Sequence, residues 1–171
     1  MASSASTSTA EQPFLIERVF DAPRSLVWKA WSEPERLAQW WGPKGCTIRV
    51  AKLEFWPGGI FHYAMGMPNG GEMWGRFIYR ETAPPERLVW LNSFSDSSGD
   101  LARAPFNPSW PLEMLVTVTL TESSGRTALT LRAGAFNATE AERHVFAAGL
   151  ASMQHGFGGT FDQLTDYLKK A

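Results

Sequence analysis

The stretch FAAGLASMQHGFGGTFDQLTDYL, Phe146–Leu168, decides the fold. Its apolar residues Phe146, Leu150, Met153, Phe157, Phe161, Leu164 and Leu168 fall at intervals of four, three, four, four, three and four. That is the ~3.6-residue period of an α-helix carrying one apolar stripe. Thr139 and Glu142 have the spacing of a capping box, so one continuous helix is expected from Thr139 to Lys170. Gly149, Gly156, Gly158 and Gly159 each cost such a helix roughly 1 kcal/mol relative to alanine. A close backbone approach, a kink, or room for something beside the helix would account for them. If they make room, replacing Gly156 or Gly159 is expected to destabilise the protein.

Upstream of this helix the period changes from 3.6 to 2. The segments CTIRVAKLEF, IFHYAMGM, EMWGRFIYRET, ERLVWLNSF, LEMLVTVTLTE and RTALTLRAGAF are rich in β-branched and aromatic residues. Turn signals separate most of them: Pro57-Gly58-Gly59, Pro68-Asn69-Gly70-Gly71, Ala83-Pro84-Pro85 and Ser123-Ser124-Gly125. Short connections imply antiparallel pairing of consecutive strands. The polar stretch Ser95–Trp110 is long for a compact domain, and such loops are often lids. Its Phe106 and Trp110 and its prolines argue for order.

At the other end, FLIERVF (Phe14–Phe20) reads as a strand. RSLVWKAWS follows with Leu26, Val27, Ala30 and Trp31 at helical spacing, and Asp21 and Pro23 fit its cap and first turn. Ser32 with Glu35 fits a second capping box, so a second short helix is expected before Gly42-Pro43. The fold class is therefore α+β: a strand, two short helices, a run of antiparallel strands, then a long helix. Residues 1–12 (Ser/Thr/Ala-rich) read as a flexible tail, and 13–171 as one domain.

The totals narrow the function classes. Lys and Arg number 16 against 17 Asp and Glu, so no basic excess exists to neutralise a phosphate backbone and nucleic acid is not an expected partner. A lone cysteine, Cys46, excludes an internal disulfide and fits a reducing compartment; without a signal peptide or an apolar span, a cytoplasmic protein with no membrane insertion is expected. Cys46 itself reads as a small buried residue. His62, His144 and His155 lack metal-ligand spacing, so neither a metal nor a cofactor is expected. No nucleophile elbow is present and no catalytic residue is assigned. Arg18 and Glu54 read as solvated strand residues, with an ion pair as the alternative.

Eight tryptophans and eleven phenylalanines are the unusual count. On the strands, Phe61, Tyr63 and Met65 share one parity, as do Phe77 and Tyr79, with Trp90 beyond. Opposite Met153, Phe157 and Phe161 of the helix they would line an apolar pocket, the alternative being a fully filled core. The inward face of the Glu72–Thr82 segment stays open between Phe77 with Tyr79 and Trp74 with Arg76 and Ile78.

FDAPRSLVWKAWSEPERLAQWWGPKG, with PGGIF, PPERLVW, TVTLTE…GRTALTLR and GFGGTFDQLTDYL in that order, resembles the domain named after the activator of the Hsp90 ATPase. That family lies within the START/Bet v 1-like (SRPBCC) superfamily, and the resemblance covers roughly residues 14–169. It implies a helix-grip fold, a curved antiparallel sheet around the C-terminal helix with a cavity between them. The adjacent Trp40 and Trp41 then have two readings. Both are core at a helix stop, or one is core while Trp41 faces the cavity mouth. The function implied is binding of a small apolar or aromatic molecule, with Trp41, Phe61, Tyr63, Met65, Phe77, Trp90, Met153, Phe157 and Phe161 as ligand-binding residues. The alternatives are an enzyme of the polyketide cyclase or hydrolase type acting through groups such as His155 or Tyr63, and a regulator of an Hsp90-type chaperone. A chaperone partner rests on family analogy, and a homodimer is left open.

Overall fold

The computed structural model describes residues 13–171; the tail expected over residues 1–12 lies outside them. Strand β1 (Phe14–Phe20) leads into helices α1 (Arg24–Ser32) and α2 (Pro34–Trp40). Strands β2 (Thr47–Leu53), β3 (Ile60–Gly66), β4 (Glu72–Ala83), β5 (Arg87–Ser95), β6 (Leu101–Ala102), β7 (Glu113–Ser123) and β8 (Arg126–Phe136) follow. Helices α3 (Glu140–Ala148) and α4 (Leu150–Lys170) end the chain. All strand pairs are antiparallel, in the order β1-β8-β7-β5-β4-β3-β2, with the short β6 pairing with β5. Among the described residues no helix is long and apolar enough to cross a membrane.

Strand alternation settles the open parity of β4. Phe77 and Tyr79 are buried on the inner face, and Phe77 pairs with Phe61 across β3. Trp74 and Arg76 point to the opposite face, where the Trp74 ring stacks on His62 at 4.8 Å. Leu88 and Trp90 of β5, Val116 and Val118 of β7, and Leu129 and Leu131 of β8 extend the inner face. The apolar stripe of α4, through Met153, Phe161, Leu164 and Leu168, closes over it.

The capping-box reading holds at Thr139: its hydroxyl accepts from the Glu142 N–H, and the Glu142 carboxylate accepts from the Thr139 N–H. The cap expected at Asp21 and the box expected at Ser32 do not form. Pro23, not Asp21, is the N-cap of α1, and the free Arg24 N–H is met at 2.9 Å by Glu122 at the end of β7. Ser32 closes α1 and Glu33 caps α2, so no Ser32–Glu35 box forms. Glu33 instead accepts from Arg36 one turn on. The carbonyls freed where α2 ends are taken by Gln163 of α4, which donates to the Gly42 oxygen at 2.7 Å and the Trp40 oxygen at 3.3 Å.

The expected single C-terminal helix is two helices, broken at Gly149 with φ −95° and ψ 5°. A β-carbon there would lie 2.9 Å from Cζ3 of Trp110, so the ring of the long loop occupies the place of a side chain. This glycine combines kink and close approach. The other three have open space: nothing lies within 4 Å of a β-carbon built on Gly156, Gly158 or Gly159. The expectation that alanine at Gly156 or Gly159 destabilises is therefore corrected, because no atom stands in its way.

Arg18 reaches across to α4, pairing with Asp162 at 2.9 Å and donating to the Gly158 carbonyl, while Glu54 pairs with Lys52. Cys46 is half-buried, not buried, with its sulfur 3.9 Å from that of Met67. Gly149→Ala, pressing on a packed ring, is expected to lower stability by about 1 kcal/mol. Gly159→Ala is expected to raise it by about 0.4–1 kcal/mol through a stiffer unfolded chain and better helix propensity. Urea midpoints of the two variants, moving in opposite directions from the parent, check both.

Candidate functional site

The inner face of the sheet is filled at one end and open at the other. At the filled end, Trp31 of α1 touches Trp40, Trp41, Trp90 and Phe161, with ring centroids 4.7, 5.9, 5.6 and 6.4 Å away. Phe77 stacks on Trp90 at 4.5 Å and meets Phe61 edge-on at 5.0 Å. Phe61, Phe77, Trp90 and Phe161 are thus core residues that floor the site, without lining it. Trp41, Tyr63, Met65, Met153 and Phe157 line the open end.

Both readings of the tryptophan pair have a part in the structure. Trp40 is the last residue of α2; its ring is fully buried and its indole N–H donates to the Ala30 carbonyl at 2.9 Å. Trp41 has φ −69° and ψ 143°, an extended conformation, so the chain turns between the two residues. That turn lets adjacent side chains both enter the core, which neither a helix nor a strand allows. The Trp41 ring meets Phe77 at 5.1 Å and Tyr63 at 6.5 Å, and its edge forms part of the cavity wall.

The open end is a cleft in three compartments. One of about 190 Å³ lies between Trp41, Gly42, Pro43, Tyr63 and Met65 on one side and Met153, Gly156, Phe157 and Thr160 of α4 on the other. A second, about 180 Å³, runs beneath Phe94, Phe106, Trp110 and Met114; a third, about 100 Å³, lies by Met65, Met73 and Gly75. Asn92 borders all three, and Met153 and Phe157 border the first two; each alone is smaller than the roughly 300–1,000 Å³ usual for a drug-sized ligand. Thr160 spends its hydroxyl on the Gly156 carbonyl at 3.1 Å. None of the residues lining these compartments carries a formal charge.

Tyr63 and Asn92 are two of the polar residues along the lining. The Tyr63 ring crosses Gly75, where a β-carbon would fall 2.5 Å from its hydroxyl oxygen. Burial pushes the Tyr63 phenol up to about 12. The Trp41 indole N–H opposes that rise from nearby, although it makes no hydrogen bond of ordinary geometry. Asn92 holds its side-chain oxygen toward the Trp90 indole, which donates at 3.3 Å. Sequence reasoning missed Asn92. The signal was a polar residue two positions after Trp90, in the inward parity of an otherwise apolar strand.

The long loop roofs the second compartment. Phe106 is 63% exposed and packs on Phe94 and Trp110, whose centroids lie 5.6 and 5.9 Å away. Outside it, an open groove of about 490 Å³ between this loop and the α3–α4 corner leads to Met153. The roof is tied down by Arg103, which donates to Glu142 at the start of α3 and to the Trp110 carbonyl. A depression of about 550 Å³ near Arg132, Arg143 and Asn137 is larger and is bordered by Pro13, the first described residue. The three histidines stand away from the cleft: His144 and His155 are exposed, and His62 faces the other side of the sheet with its Nε2 3.1 Å from the Asp96 carbonyl oxygen. Among the described residues no cluster of three metal-ligating side chains occurs.

The family described as activator of Hsp90 ATPase homolog 1-like protein matches residues 21–169. A protein from Arthrobacter aurescens is 27% identical, with 93% of this chain and 87% of that one aligned at a TM-score of 0.77. One from Nitrosomonas europaea is 26% identical over 92% of this chain and 94% of that one, at 0.73. Protein Ms6760 from Mycobacterium smegmatis shares the fold at 0.71, with 24% identity over 90% and 88% of the two chains. No curated protein matches the sequence.

Two outcomes test this geometry. Gly75→Ala is expected to push the Tyr63 ring into the cleft and to cost about 1–3 kcal/mol, read from thermal and urea unfolding. The Thr139 backbone N–H first, and the Arg103 guanidinium second, hold the Glu142 carboxyl below its ordinary value. A carboxyl depressed on folding contributes stability that is complete above its unfolded value and is lost as pH falls through the lower folded one. Acid is therefore expected to loosen the α3 start and the loop roof, and Glu142→Gln to abolish that component of the pH dependence. Unfolding free energy measured from neutral pH downward checks it.

Proposed function

The chain belongs to the activator of Hsp90 ATPase homolog 1-like family, and on that premise we propose that it binds a small hydrophobic or aromatic molecule between the sheet and α4. The supporting observation is the cleft itself: uncharged, walled by Trp41, Tyr63, Met65, Met153 and Phe157, and left open at Gly156. A packed core would fill that space, since an apolar void forfeits the contacts of its lining. Large rings give such a site much contact area at little entropic cost, and methionines adapt to irregular shapes.

An enzyme of the cyclase or hydrolase type needs an acid or base that titrates near the working pH. Tyr63, with its phenol pushed up to about 12, stays a neutral hydrogen-bonding group there, and the histidines stand elsewhere. A chaperone-regulating role is supported by the family's description, whereas ligand binding is supported by this chain's own side chains, so binding is the reading we adopt.

The experiment is a titration with N-phenyl-1-naphthylamine, a neutral fluorescent probe, together with thermal unfolding. Binding is expected to enhance probe emission, quench tryptophan emission and stabilise the fold by about 2.7 kcal/mol at a hundredfold excess over Kd. Gly156→Leu, whose side chain would enter the 190 Å³ compartment, is expected to weaken binding while leaving the protein folded. Unchanged emission and an unchanged Tm would count against the reading.

A further inference from the structure

We propose that the cleft selects uncharged planar aromatic molecules bearing a hydrogen-bond acceptor, an aryl ketone or its equivalent, and that Asn92 with Tyr63 is the pair that reads the acceptor. The proposal rests on the binding reading above and adds to it the class of ligand.

The orientation of Asn92 is the first observation. The Trp90 indole is a donor only, so the group it meets at 3.3 Å must be the amide oxygen. Trp90 is fully buried and stacked on Phe77, which fixes that donor in place. Asn92 borders all three compartments, and no described residue accepts a hydrogen bond from its amide nitrogen. A primary amide held this way presents donors to whatever enters.

The second observation is Tyr63, which borders two of the same compartments as Asn92. Its phenol remains protonated at any physiological pH, being pushed up to about 12 by burial. With the Trp41 indole N–H, itself buried and without a partner, directed near the phenol oxygen, the Tyr63 proton is free to point into the cleft. Two donors thus border one apolar space in which Thr160 has already turned its own hydroxyl to the backbone. A carbonyl oxygen, with two lone pairs, matches two donors.

The third observation is the absence of charge from the described lining. A carboxylate or phosphate carried into this space would lose its hydration and find no cation, a cost that two neutral donors do not repay. A bare hydrocarbon would enter but would leave the Asn92 amide desolvated and unpaired. The Phe157 and Trp41 rings, in edge-to-face contact with centroids 6.3 Å apart, give the first compartment aromatic walls for a ring system to pack against.

The test uses the full chain and three probes of one shape: 2-acetylnaphthalene, 2-ethylnaphthalene and 2-naphthoate. Dissociation constants come from tryptophan quenching and calorimetry at neutral pH. The ketone is expected to bind at least tenfold tighter than the hydrocarbon, and the carboxylate weakest. Asn92→Leu is expected to bring the ketone down to the level of the hydrocarbon without loss of hydrocarbon binding, and Tyr63→Phe to cost a smaller factor. Equal affinity for ketone and hydrocarbon, or tightest binding by the carboxylate, overturns the proposal while leaving the binding function standing. Failure of all three probes overturns both. The wild-type series decides even if the Asn92 variant does not fold.

Discussion

The indole of Trp31 is the contact on which the rest of the molecule depends. It lies fully buried between α1, the Trp40–Trp41 turn, β5 through Trp90 and α4 through Phe161. Without that wedge, three separate elements would have to find the sheet independently. Truncating a buried tryptophan in such a position typically costs about 3–5 kcal/mol, a large part of a domain's net stability of about 5–15 kcal/mol. Trp31 also leaves its own indole N–H without a partner, so its place is held by packing against the penalty of a desolvated donor.

That packed end makes the open end feasible. The floor of the cleft is made of Phe61, Phe77, Trp90 and Phe161, which interlock and give the fold its rigidity. The walls further along the same strands and helix are therefore free to leave space. On α4 the change from Phe161 to Gly156 takes little more than one turn. On β3 the change from Phe61 to Met65 takes four residues, and those four carry the inner face from sealed core to cleft edge. Stability and binding are separated along the length of the same elements, and the long loop, anchored by Trp110 against Gly149 and by Arg103 to Glu142, roofs the open half.

Much of the architecture was legible in residues 14–170. The period-2 segments and their turn residues placed the strands, and the apolar stripe placed the last helix on the sheet. Local caps were read less well. Asp21 and Ser32 have the chemistry of caps, yet Glu122 serves α1 from a distant hairpin and Gln163 serves the end of α2 from the other end of the chain. The break at Gly149 had the same origin: its cause is the ring of Trp110, thirty-nine residues earlier. Each of these satisfactions is made across space, where sequence spacing carries no signal.

The candidate site divides in the same way. Sequence alone determined which side chains share a face, because strand alternation and helical period are local: Tyr63 with Met65, and Met153 with Phe157, lie together as their spacing predicts, while the inward face of β4 was decided by the tertiary structure. Sequence did not determine where along those faces the core stops and the cleft begins. That boundary depends on how far α1, the Trp40–Trp41 turn and α4 reach over a curved sheet, which is a sum of non-local contacts. The orientation of Asn92 is set locally, by the Trp90 indole two residues earlier on the same strand, whereas the cleft it borders is made by β3, β5, the Trp40–Trp41 turn and α4 together. A periodicity can be read from one chain segment, but a void exists only where several segments meet.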